Sequence, residues 1–199
     1  MNLRTLIPCA GLGTRAKMKY NESKELLLFE GIPLIEHALS QSINPLVITR
    51  IEKEDLIEYC SNHGVDTLIL DEPTKEWPET ILKSESQWEE DNVILLPDTI
   101  FTPFKVVEGL GEDLRETNYA FAVHKVKDPT KWGIISDDFL IEKPTHLEGL
   151  QQEFWAWGLM GFKKDHGKLL LQCCLEKKPL KMYDYSMLFL NTFKDVTRG

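Results

Sequence analysis

The sequence predicts an α/β fold: a mainly parallel central sheet with helices on both faces, passing into a more antiparallel second half. Three observations predict it. Short apolar runs alternate with segments of helical period through the first half of the chain. The first of these runs leads directly into a glycine-rich turn, and beyond residue 100 strand-like segments follow one another with only turn residues between them. Strands that alternate with helices run parallel and are covered on both faces, whereas strands joined by short turns pair antiparallel.

Residues 3–10 read as an apolar strand that feeds Gly11-Leu12-Gly13-Thr14-Arg15, where glycines let the backbone approach a ligand closely. Residues 16–24 carry no helical stripe and read as a long loop, and residues 26–33 as an extended segment and turn. Pro33 opens a helix over 34–39 that ends before Asn44-Pro45. Residues 46–49 form a second strand. Residues 52–62 form a helix with Leu56, Ile57 and Cys60 on one face, stopped by His63-Gly64, and 65–70 a third buried strand. A further helix is expected over 78–90, and Val93-Ile94-Leu95-Leu96 is a continuous apolar strand ending in Pro97-Asp98. Strands are then expected over 119–123, 134–135, 139–142 and 154–162, punctuated by Asp128-Pro129, Asp137-Asp138 and Pro144-Thr145, before a last helix over 163–177. No repeat, low-complexity tract or linker divides the chain, so residues 1–199 read as a single domain.

Composition narrows the function classes. In 199 residues, 42% hydrophobic and 28% charged side chains are the balance of an ordinary globular protein. A net charge of -9 without a Lys/Arg-rich stripe argues against a nucleic-acid partner, whose phosphates require a basic surface. No run approaches the roughly 18 apolar residues of a membrane span, so no membrane partner is expected. The apolar run after Arg4 is broken by Pro8 and is too short for a signal peptide. Cys9, Cys60, Cys173 and Cys174 form no Cys-x-x-Cys pair and have no His at zinc spacing, so a reducing, cytoplasmic setting fits best. Assembly as a homo-oligomer is left open.

Residues 11–16 formally match the Gly-x-Gly-x-x-Ala dinucleotide fingerprint, with Glu30 near the place of a ribose-binding acid. That turn should lead straight into an amphipathic helix, which Asn21-Glu22-Ser23 does not support. A Walker loop is excluded because Gly-Lys-Ser/Thr is absent.

Three segments in order, Leu6-Ile7-Pro8-Cys9-Ala10-Gly11-Leu12-Gly13-Thr14-Arg15, Ser23-Lys24-Glu25-Leu26-Leu27 and Gly31-Ile32-Pro33-Leu34-Ile35-Glu36, resemble the sugar nucleotidyltransferase family. They are similar to its Gly-x-Gly-x-Arg signature, its loop lysine and the helix start that follows. The resemblance covers roughly residues 1–165. It implies a Rossmann-like nucleotidyltransferase fold with a nucleotide-binding half over 1–100 and a substrate half over 101–199. It also implies that Ala10, Gly11, Leu12, Gly13 and Thr14 cradle the nucleotide, with Arg15 and Lys24 as catalytic cations. Chemically this is sound: glycine-rich backbone offers N–H groups to phosphate oxygens, Arg15 a planar donor fork and Lys24 a compact charge.

Further on, Asp98 follows a buried strand, where ligands of open α/β sheets bind, and resembles the family's Mg2+-binding aspartate. Asp195 in Phe193-Lys194-Asp195-Val196-Thr197 resembles the second metal ligand, with Asp184 or Asp165 as replacements. Lys131-Trp132-Gly133-Ile134-Ile135 and Ile141-Glu142-Lys143-Pro144 are similar to the segments that hold the sugar phosphate. Glu142 would accept from hydroxyls, Lys143 would neutralise phosphate, and Gly133 would leave room for a ring. The stretch that clasps the base in the family is here Asp71-Glu72-Pro73-Thr74-Lys75-Glu76-Trp77-Pro78-Glu79-Thr80, which departs from it and leaves Glu72 as the candidate contact. His37, His63, His124 and His166 read as helix, cap or surface residues.

The implied reaction joins a nucleoside triphosphate to a phosphorylated sugar or related small molecule and releases pyrophosphate. A noncatalytic nucleotide- or sugar-phosphate-binding relative of the same fold, and an NAD(P)-dependent oxidoreductase, are the alternatives.

Overall fold

A computed structural model of the chain describes residues 2–12, 23–103, 105–145 and 153–196. β1 (Leu3–Pro8) is followed by a 3-10 turn at Lys24–Leu26 and by the short strands β2 (Leu28–Phe29) and β3 (Ile32–Pro33). Then come α1 (Leu34–Leu39), β4 (Pro45–Arg50), α2 (Glu54–Asn62), β5 (Asp66–Leu70), α3 (Trp77–Lys83), β6 (Asp91–Leu95) and β7 (Thr99–Thr102). The second half holds α4 (Val106–Asp113), β8 (Tyr119–Val126), β9 (Gly133–Ser136), β10 (Phe139–Glu142) and β11 (Phe154–Lys163). It closes with α5 (Lys164–Glu176), β12 (Leu180–Lys181), β13 (Tyr185–Phe189) and β14 (Thr192–Asp195).

The main sheet runs β12-β10-β9-β11-β6-β1-β4-β5, with β8 on β11 and β13 on β8. β6, β1, β4 and β5 are mutually parallel. β11 turns the sheet antiparallel: it pairs along one edge with β6 and then β9, and along the other with β8. Alternate side chains of β1 serve different cores. Leu6 joins Ile81 of α3 and Leu170 and Leu171 of α5 on one face. Leu3 and Ile7 join Ile35 of α1, Leu56 of α2 and Leu110 of α4 on the other. Helices on both faces of a mainly parallel sheet, with an antiparallel extension, are what the sequence predicts.

Four local readings need correction. The third strand, β5, is an edge strand rather than a buried one: its neighbour is β4, and Ile69 is 45% exposed. The helix expected over 78–90 ends at Lys83. There the Ser84 hydroxyl donates to Ile81 O (2.7 Å) and accepts from Trp88 Nε1 (3.1 Å), so a side chain competes for a helix carbonyl. His124 is not a surface residue but a half-buried member of β8. Finally, β7, α4, β12, β13 and β14 were not expected. The extended segment and turn at 26–33 is a β2–β3 hairpin around Glu30-Gly31, both at positive φ (53° and 82°), the geometry of a tight two-residue hairpin turn. No helix among the described residues is long and apolar enough to cross a membrane.

Candidate active site

β1 and β6 lie side by side and deliver their following loops to one edge of the sheet. Past β1, the Cys9 amide donates to Ile48 O of β4 (2.7 Å). The Thr74 amide donates to Ala10 O (3.3 Å), and Gly11 bridges Thr74. The start of the glycine-rich turn is thus pinned to β4 and to the loop after β5, with Leu12 emerging 42% exposed. Gly13, Thr14 and Arg15 lie outside the described residues. Cys9 is fully buried, and burial, then the nearby Glu25 charge, push its thiol well above the usual range. It is a neutral packing group, not a nucleophile.

The chain returns to the site through two anchors. The Ser23 amide and hydroxyl donate to the Asp55 carboxylate at the start of α2 (2.7 and 2.6 Å). Burial raises the Asp55 carboxyl, but these bonds and one from the Leu56 amide outweigh it and hold it below its ordinary value. Two residues on, Glu25, 1% exposed, accepts from Lys53 Nζ (2.7 Å). Between the anchors Lys24 reaches Asp98 Oδ2 at 2.8 Å. Burial works to lower the Lys24 pKa, yet the Asp98 and Glu25 charges raise it further, so the ammonium stays charged.

Asp98 follows β6 in a turn closed by the Thr99 amide and hydroxyl, both donating to Leu96 O. β7 then pairs antiparallel with β14, Asp195 opposite Thr99, and the Val196 amide donates to Asp98 O (2.9 Å). The pairing places Asp195 opposite Thr99, the residue that follows Asp98. No group of three or more His, Cys, Asp or Glu able to hold a metal occurs among the described residues. Two carboxylates suit Mg2+, which takes one or two protein oxygens and completes its shell with phosphate and water. The Lys24 ammonium on Asp98 already shows a carboxylate placed to hold a cation.

Asp195 also lines a pocket with about 60 Å³ of open space, walled by Trp77, Trp132, Trp157, Glu142 and Lys143. Glu142, 5% exposed, accepts from Trp157 Nε1 (3.3 Å) and lies 3.7 Å from Lys143 Nζ. The Lys143 amide donates to Trp132 O (2.9 Å), which fastens the turn after β10 to the start of β9. A Cβ on Gly133 would lie 1.9 Å from Trp157 Nε1 and 2.2 Å from Glu142 Oε2. The indole and the Glu142 carboxylate thus press against Gly133 so closely that any side chain at this position would clash. At the bulge between Trp157 and Leu159, a Cβ on Gly158 would lie 2.5 Å from the Phe193 ring, so β11 and β14 touch here. Phe193 in turn stacks on His124 (centroids 4.0 Å apart), whose Nδ1 is buried without a hydrogen bond among the described residues. Burial alone pulls this imidazole down to about 4.

The structure thus brings Lys24 to Asp98, sets Asp195 across from Thr99 beside it in the chain, and gathers Asp195, Gly133, Glu142 and Lys143 around one pocket. Glu72 sits exposed in the bend after β5, two residues before Thr74. Sequence reasoning missed Trp77 and Lys131 as pocket walls and Asp55 and Lys53 as anchors. The signal for the walls lay in five tryptophans, a high number for 199 residues. A wider, open depression of about 460 Å³ beside Glu36, His63 and Asp66 adjoins the opposite ends of β4 and β5 and shares no residue with this site.

The carboxyl edge of a mainly parallel sheet thus gathers the start of the glycine-rich turn, the Lys24–Asp98 pair and a pocket lined by Asp195, on a fold shared with solved nucleotidyltransferase structures. The structure is similar, with a TM-score of 0.76, to a Bacillus anthracis protein assigned as a glucose-1-phosphate thymidylyltransferase and solved in complex with a sucrose. The similarity covers 98% of this chain and 90% of that one at 16% identity, which establishes the fold. Among curated proteins, the bifunctional protein GlmU of Methanocaldococcus jannaschii is 24% identical over 168 residues, 80% of this chain. The chain spans 40% of the length of that relative. It matches no protein-family model. Both comparisons bear out the resemblance to sugar nucleotidyltransferases.

Proposed function

We propose that the protein is a nucleotidyltransferase that transfers a nucleoside monophosphate from a nucleoside triphosphate to a sugar 1-phosphate or similar phosphorylated small molecule. The observation that carries this reading is the Lys24–Asp98 pair at 2.8 Å, with Asp195 on the strand paired beside it, at the sheet edge where Gly11 emerges.

In the proposed reaction a phosphate oxygen of the acceptor attacks the α-phosphorus, a new P–O bond forms, and the bond to the pyrophosphate oxygen breaks in line. Lys24, held charged between Ser23 and Glu25, neutralises phosphate oxygens as charge shifts to the leaving group. Asp98 and Asp195 are the residues that would hold Mg2+, which supplies Lewis-acid neutralisation when bound. Lys143 draws the acceptor phosphate, and Glu142 orients the rest of the acceptor. Gly11 and Leu12 present backbone to the triphosphate, with Gly13, Thr14 and Arg15 assigned there by the sequence resemblance, and Glu72 on the base side. An oxidoreductase reading is disfavoured because Glu30 occupies a hairpin turn rather than the end of β4, where a ribose-binding acid would stand.

The test is a pyrophosphate-release screen of the common nucleoside triphosphates, with magnesium, against a panel of phosphorylated sugars and alditols. Release from one pair supports the reading. Ligand binding without release by any pair would make the protein a noncatalytic relative, and reduction of a nicotinamide cofactor would make it an oxidoreductase.

A further inference from the structure

Glu142, Gly133 and Trp157 stand in one row across three neighbouring strands. Glu142 of β10 pairs with Gly133 of β9. On the other side of β9, Trp155 pairs with Ile135 and Ala156 with Ile134, and that register carried one residue further sets Trp157 beside Gly133. Residues two strands apart stand roughly 10 Å from each other, so a side chain between them ordinarily keeps them from touching. Here the middle position has none, and Trp157 Nε1 reaches across β9 to donate to Glu142 Oε2 at 3.3 Å. A Cβ on Gly133 would lie 1.9 Å from that nitrogen and 2.2 Å from that oxygen, so the bond runs through the notch that the glycine leaves. Both partners are packed in place: Trp157 is 6% and Glu142 5% exposed, and the Trp77 ring packs edge-on against Trp157 with centroids 5.1 Å apart. The bond divides the carboxylate, since the other oxygen, Oε1, lies 3.7 Å from Lys143 Nζ. Lys143 is held as well. Its backbone keeps a left-handed φ of 49°, which a non-glycine residue adopts where its surroundings impose it, and its amide is tied to Trp132 O.

We propose that Trp157 is a positioning residue for Glu142, and that the glycine at 133 serves this bond by letting the indole N–H cross β9. This rests on the nucleotidyltransferase reading, in which Glu142 and Lys143 meet the acceptor, and adds the residue that orients the carboxylate. The last torsion of a glutamate is broad, so an unheld carboxylate turns freely. A charge-assisted bond to Oε2 fixes that torsion and keeps Oε1 in one place beside Lys143. The acceptor then meets a hydrogen-bond acceptor and a cation at a set spacing.

The experiment has two arms, and the first needs no substrate. In the NMR spectrum the Trp157 indole proton should lie downfield and exchange slowly with solvent. Glu142→Leu, which fills the space without offering an acceptor, should move it upfield and speed its exchange. A wild-type proton that exchanges freely, or one unmoved in Glu142→Leu, overturns the inference. The second arm follows pyrophosphate release from the common nucleoside triphosphates with glucose 1-phosphate, mannose 1-phosphate, glycerol 3-phosphate and ribitol 5-phosphate. Trp157→Phe keeps a ring and removes the N–H. It should raise the acceptor KM about 3- to 10-fold, the scale of one hydrogen bond, and leave kcat and the nucleotide KM within about twofold. The double variant with Glu142→Leu should lose no more than Glu142→Leu alone, because Trp157 acts through that carboxylate. Additive losses, or a fall in kcat with an unchanged acceptor KM, make Trp157 a merely structural residue and overturn the inference while the reaction stands. No release with any acceptor refutes the nucleotidyltransferase reading, and the NMR arm then decides the role of Trp157 at Glu142. Each variant is checked by thermal unfolding. Should one fail to fold, the wild-type proton decides: downfield and protected upholds the bond, upfield and freely exchanging overturns it.

Discussion

Lys24 stays charged in a half-buried position because carboxylates on two sides outweigh the cost of its burial. That geometry separates its proposed catalytic role from a structural one, since Ser23 and Glu25 hold the turn through Asp55 and Lys53 whether or not the ammonium is present. We expect Lys24→Ala to lower pyrophosphate release by about 10²- to 10³-fold, the usual effect of losing one donor to developing charge, with little change in melting temperature. Asp98→Asn, equal in size, should abolish magnesium-dependent turnover while the fold persists. Turnover and unfolding measured together check both. His124 gives a different test. Its folded-state pKa is depressed from an ordinary 6.5 to about 4, so the unfolded chain takes up the proton first. Its contribution to stability is complete above pH 6.5 and is lost as the pH falls from there toward 4. Denaturation curves across that window should show a shallower acid-side decline in His124→Gln than in the wild-type protein. Equal slopes would mean that the imidazole is solvated.

At the scale of elements, the legible parts were those whose burial is written into consecutive residues. β1, β4 and β6 are buried almost throughout, and each announces itself by a short apolar run: Leu6-Ile7, Leu46-Val47-Ile48 and Val93-Ile94-Leu95. α4 was hidden by Gly109 and Gly111, which weaken a helical pattern although Val106, Val107 and Leu110 all reach the core. Among the described residues β7 and β14 pair with each other alone, and Thr102 meets Thr192 from far along the chain, so neither carries a local signature. The same distinction holds in the site. Lys24, Asp98, Asp195, Glu142 and Lys143 could be named from short motifs, whereas the closing of the pocket by Trp157 depends on which strand lies beside β9. The contact of Gly158 with Phe193 is likewise tertiary, and it makes the β11 bulge a support for Asp195. Gly158→Ala should therefore push β14 away and cost about 1–3 kcal/mol by overpacking. It should also raise the magnesium concentration needed for half-maximal turnover. A loss of stability with an unchanged magnesium requirement would separate the bulge from the proposed metal site.

Across the whole molecule, β11 makes the two halves one sheet: its later residues pair with β6 of the first half, its earlier residues with β9 of the second, and β8 runs along both. Unfolding one half would strip neighbours from a strand buried from Ala156 to Phe162. Heating should consequently give a single transition, and a ligand bound at the nucleotide edge should stabilise the entire chain. At a hundredfold excess over Kd, magnesium with its nucleoside triphosphate adds about 2.7 kcal/mol. For a domain of this size that amounts to a rise of roughly 5–10 °C in Tm, taking about 2–4 °C per kcal/mol. In Asp98→Asn the part of the shift that requires magnesium should vanish, while any rise from nucleotide alone is retained through Gly11, Leu12 and Lys24. Calorimetric scans of both proteins, with nucleotide alone and with nucleotide plus magnesium, decide the matter. Two separate transitions of which only one moves would show that the halves fold independently and that β11 does not couple them. A magnesium-dependent shift of full size in Asp98→Asn would place the metal on other ligands.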